Sequence, residues 1–137
     1  MTTHWDISDL EFEKQFKNCE FNPSLFSHEA HLRLAWIHIS KYGIEAAEKN
    51  IQNQLKAFVN HIGAKEKYNK TLTLAAIKAV YHFNQKSVSK DFKNFNNEFP
   101  RLKNNFKELM SLHYSFDIYN SPKAKAFFLK PDLLPFS

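Results

Sequence analysis

Apolar residues recur at spacings of three and four along most of this chain, a period that predicts helices. Leu10, Phe12, Phe16 and Cys19 mark a first helix near 8–19, opened by Ser8 with Glu11 three residues later. That pair is a capping box, in which serine and glutamate satisfy each other's backbone amides. Phe21-Asn22-Pro23-Ser24 then breaks the chain, and Leu25 and Phe26 are placed to pack back onto the next helix as a staple. The second helix runs from a Ser27 cap to a Gly43 stop, with Leu32, Trp36 and Ile39 as its core stripe. His28, His31, Ala35 and His38 form a neighbouring stripe on the same helix. Ile44, Ala47, Ile51, Leu55, Phe58 and Ile62 trace a third helix up to Gly63, antiparallel to the second.

A fourth helix begins near Asn69 or Thr71 and carries Leu72, Ala76, Ala79 or Val80, and Phe83 on one face. Its middle is apolar almost all round, which predicts a central position. Phe92, Phe95 and Phe99 give a short helix over Lys90–Phe99, capped by Ser89 and interrupted by Pro100. Leu102, Phe106, Leu109 and His113 continue helical spacing over Arg101–His113. Ser121-Pro122 starts a last short helix that ends before Pro131, and Pro131–Ser137 is expected to dock as an extended strap. The pattern as a whole predicts an all-α protein, one domain over 1–137: an irregular bundle of five to six helices with an extended C-terminal strap.

Composition supports this reading. An apolar content of 43 %, with 14 Phe among 137 residues, is enough to build a core. Two glycines and five prolines supply little turn chemistry for a many-stranded fold. The lone Cys19 rules out an internal disulfide and a cysteine-rich zinc site. Met1–Asp6 lacks a basic-then-apolar leader and no apolar run has the length of a membrane span, so a cytoplasmic protein with no membrane partner is expected. The net charge is +5, but the lysines are dispersed from Lys41 to Lys130 and only Arg33 and Arg101 are arginines. Arginine is the usual reader of base edges, so specific nucleic-acid binding is not expected.

The chemistry is confined to one constellation. No glycine-rich phosphate loop, nucleophile elbow or repeated Glu-x-x-His pair occurs, and His28-Glu29-Ala30-His31 has the wrong spacing for a zincin. His28 and His31 lie one turn apart on one helical face and could chelate a divalent metal, with His82, His113 or Asn69 completing the set. Alternatively, the two imidazoles could bind an anion or move a proton near neutral pH. Thr71 and Thr73, at a helix start, suit an anionic group or serve as caps.

The same residues carry a resemblance. Phe26-Ser27-His28-Glu29-Ala30-His31-Leu32-Arg33-Leu34-Ala35-Trp36 resembles the Phe-x-His-x-x-His-Leu-x-x-Ala-Trp motif of a family of small uncharacterised bacterial helical proteins. Tyr68-x-x-Thr71-x-Thr73 resembles that family's second motif, and Ser121-Pro122-Lys123-Ala124 with Pro131-Asp132-Leu133 its closing one. The family tends to have histidine where this chain has Asn69, which counts against a metal here. The resemblance implies a site and names no reaction. The expectation is a His/Thr-lined pocket of His28, His31, Asn69, Thr71 and Thr73 for a small anionic ligand or a metal ion, with enzymatic activity left open. The alternative is a helical interaction or homodimerisation module without catalysis.

Overall fold

The computed structural model describes residues 3–136 and is all-α among them. Eight α-helices form: α1 (Asp9–Lys17), α2 (His28–Tyr42), α3 (Ile44–His61), α4 (Lys70–Asn84), α5 (Phe92–Glu98), α6 (Arg101–Asn104), α7 (Phe106–His113) and α8 (Pro122–Ala126). Three 3-10 turns, His4–Asp6, Pro23–Leu25 and Lys65–Lys67, join them. The described residues hold more than the expected five to six helices; one of the additions arises where the single helix read over Arg101–His113 breaks in two at Asn105, where the backbone leaves the helical region. Asparagine favours this break, since its side chain competes for backbone bonds and weakens a helix interior. No described helix is long and apolar enough to cross a membrane.

The described chain forms two compact units, 3–68 and 69–136. In the first, α1 and α3 both pack on α2. Every residue of α2 from Leu32 to Ile39 is buried, so this helix has no solvent face over its middle. Phenylalanines fill the space around it. Phe16 stacks on Phe58 at 4.8 Å and meets Phe26 at 4.9 Å, while Phe12 meets Phe21 at 4.9 Å. Gly43, with φ 87°, is both the last cap of α2 and the first of α3. A side chain at that φ would be strained, which is why the hairpin turns on glycine.

Arg33 is the one charged residue within the buried run of α2, 5 % exposed. Its donors are all directed at the chain leading into α1. Nη1 donates to the His4 carbonyl at 2.5 Å, and Nη2 to the Ile7 carbonyl at 2.7 Å and to Asp9 at 2.8 Å. Nε also donates to Asp9, at 3.0 Å. The guanidinium lies over the Phe12 ring, 4.8 Å from its centre.

In the second unit α4 packs against α8. Asn69, not Thr71, caps α4: its Oδ1 accepts from Leu72 N at 2.9 Å. The C-terminal strap docks as expected, with Leu133 N donating to the His113 carbonyl at 3.0 Å and Ser115 N donating to Asp132 at 2.9 Å. Asp91 rather than Ser89 caps α5, accepting from Asn94 N at 2.8 Å.

Replacing Arg33 with leucine keeps the bulk but leaves the His4 and Ile7 carbonyls without their donor. We expect Arg33→Leu to cost about 2 kcal/mol in urea unfolding, since each buried acceptor stranded costs about 1–3 kcal/mol. A variant as stable as the parent would show that the clamp is not needed.

Candidate functional site

His28 and His31 stand on the first turns of α2, one turn apart as their spacing requires. Ser27 caps the helix by accepting from Ala30 N at 3.2 Å. Phe26, the residue before that cap, stacks on the His31 ring at 3.8 Å and 20°. This is the expected staple, with an imidazole as its upper half. His31 keeps an edge open to water. Protein crowding nonetheless lowers its pKa, with the neighbouring charge of His28 adding to the effect. His31 is therefore neutral at pH 7. Both residues are exposed, so the pair is accessible from solvent.

Asn69, Thr71 and Thr73 share the first turn of α4 in the second unit. Two of them are engaged within the protein. Asn69 caps the helix and its amide donates to the Ile118 carbonyl at 2.8 Å. The Thr71 hydroxyl is fully buried, donates to the Phe127 carbonyl at 2.7 Å and accepts from Leu129 N at 3.0 Å. Thr73 is half-buried, and its amide donates to the Asn69 carbonyl. The Tyr-x-x-Thr-x-Thr pattern therefore contains a fastening of α4 to the chain after α8. His113 is occupied in a similar way. Its Nδ1 donates to the Leu134 carbonyl at 2.6 Å, and its ring stacks on Phe136 at 4.1 Å.

Among the described residues, no group of three or more His, Cys, Asp or Glu side chains stands together to hold a metal. Cys19 is a free, half-buried thiol in a left-handed backbone conformation, φ 58°. No protein-family model, curated protein or solved structure matches the chain.

Two polar clusters escape the pattern of the sequence. In the first, His4 is buried and its Nε2 lies 2.7 Å from Glu29. Its Nδ1 faces Arg33 Nη1 at 3.3 Å. A guanidinium only donates, so Nδ1 accepts and the ring is neutral with its proton on Nε2, directed at the carboxylate. In the second, Glu13 accepts from Lys41 at 2.8 Å and, through a very short bond, from the Tyr42 hydroxyl. Burial works to raise the Glu13 carboxyl, but these two donors outweigh it and hold the carboxyl below its usual range. Beneath them lies His38, 1 % exposed, with no hydrogen-bond partner for either ring nitrogen among the described residues. Burial pushes its pKa down, Glu13 pulls it up and Lys41 opposes that pull. The signal that could have located these clusters is the placement of Arg33 and His38 within the otherwise apolar run from Leu32 to Ile39.

The depressed histidines set a pH dependence. His31 and His38 bind a proton less readily in the folded chain than in the unfolded chain, whose imidazoles titrate near 6.5. The unfolded state therefore takes up protons first as pH falls. Their contribution is complete above pH 6.5 and declines as pH falls below it. Urea midpoints should drop between pH 7 and pH 5, before the carboxylates titrate, and His38→Phe should flatten that slope. An unchanged slope in the variant would sink the assignment.

Proposed function

We propose that this protein binds a small anionic molecule through the His28–His31 pair at the start of α2. The observation that carries the reading is the accessible imidazole pair, one member of which is fixed in orientation by its stack on Phe26. A ring held in place loses less freedom on binding than a mobile one. The helix dipole adds positive potential at this helix start, and an imidazole N–H can donate to an oxyanion. Glu29 lies between them in sequence, but its carboxylate is turned to His4, which tempers its repulsion of an anion.

Asn69 and Thr71 have their own polar groups bonded to Leu72, Ile118, Phe127 and Leu129, so the reading rests on the His28–His31 pair. A divalent metal is the second ligand class the pair could hold. Two imidazoles leave most of its coordination sphere to water, whereas catalytic zinc sites use three protein ligands.

Thermal-shift titration with inorganic phosphate and small carboxylates, beside elemental analysis of untagged protein, tests the proposal. Saturable stabilisation by an anion should vanish in the His28→Ala/His31→Ala variant while its helical circular dichroism persists. Stoichiometric metal lost in that variant would replace the anion by a metal. Loss of stability alone in the variant, with no anion effect in the parent, would make the pair structural.

A further inference from the structure

The net charge is not shared evenly along the chain. Residues 1–68 carry eight lysines and arginines against nine acidic residues, and residues 69–137 carry eleven against five. The five acids of the second stretch are committed to local donors. Asp91 caps α5, Glu98 accepts from Ser87 and Ser89 at 2.6 Å each, and Asp117 accepts from Tyr119 N at 2.8 Å. Asp132 accepts from Ser115 and Glu108 from Asn105. Lys123, Lys125 and Lys130 form no ion pair among the described residues.

Those three lysines share one stretch of chain with large exposed apolar residues, in the order Lys123, Lys125, Phe127, Lys130, Leu133 and Leu134, with Asp132 among them turned to Ser115. Phe127 is 65 % exposed, Leu133 57 % and Leu134 51 %. The backbone beneath them is tied down rather than loose. Thr71 holds the Phe127 carbonyl and the Leu129 amide, the Tyr114 hydroxyl donates to the Leu129 carbonyl at 2.7 Å, and the Leu133 amide is bound by the His113 carbonyl. A surface ordered in advance avoids much of the entropy cost of binding.

We propose that the exposed side chains of Lys123, Lys125, Phe127, Lys130, Leu133 and Leu134 form a docking surface for an anionic lipid bilayer. The lysines are compact charges suited to headgroup phosphates, and Phe127, Leu133 and Leu134 are side chains that a bilayer interface solvates and water does not. Leucines favour lipid over nucleic acid, because bases are captured by aromatic stacking and not by aliphatic chains. Contact of this kind needs no spanning helix. It is independent of the His28–His31 pair.

Co-sedimentation of the full chain with vesicles is the test. The protein should pellet with phosphatidylcholine containing about 30 % phosphatidylglycerol, should stay in solution with phosphatidylcholine alone, and should be released by high salt. Lys123→Gln/Lys125→Gln should weaken partitioning by about thirtyfold, at about 1 kcal/mol per lysine. Phe127→Ser, at a position exposed enough to leave folding intact, should weaken it as well. Absence of pelleting, equal pelleting with neutral vesicles, or indifference to Phe127→Ser would each overturn the proposal. So would a Phe127-dependent dimer in light scattering, or a single-stranded oligonucleotide bound more tightly than the vesicles.

Discussion

A buried guanidinium must be given acceptors, and in the first unit Arg33 organises the chain around that demand. It cannot lose its charge, so burial is tolerable only when its donors find acceptors. Two backbone carbonyls and one carboxylate are brought to it from residues 4–9. The consequence spreads outward. Once residues 4–9 are held, His4 is carried to Glu29, Phe12 is set under the guanidinium, and α1 enters at a fixed place against α2. In the second unit a single hydroxyl plays a comparable part, with Thr71 acting as donor and acceptor to two points of one extended segment.

The helices were largely legible because their information is local. Caps at Ser8, Ser27, Asn69 and Ser121, the stop at Gly43 and the proline at the start of α8 act within one turn of themselves. The failure at Asn105 has the same origin in reverse. Leu102, Phe106 and Leu109 keep helical spacing across the break, so the apolar pattern is continuous where the backbone is not. Propensity at one polar residue decided the matter, and periodicity does not register it.

The candidate site was legible only in part, because polar side chains are recruited by tertiary neighbours that no spacing specifies. The His28–His31 relation is intrinsic to a helix and was visible. That Asn69 reaches Ile118, and Thr71 reaches Phe127 and Leu129, depends on chain folded back from some fifty residues away. The staple between Phe26 and His31 shows how one residue serves both ends. Its ring completes a helix start and still keeps an edge for solvent.

The shared cap at Gly43 fixes how this hairpin can vary. Surface loops ordinarily absorb insertions at small cost, because closure entropy grows slowly with length. Here no loop exists to lengthen, since one residue ends α2 and begins α3. An extra residue would turn α3 by about 100° about its axis and carry Ala47, Ile51 and Leu55 off the face that meets α2. Length variation in this protein is therefore barred from that corner and must be taken up elsewhere.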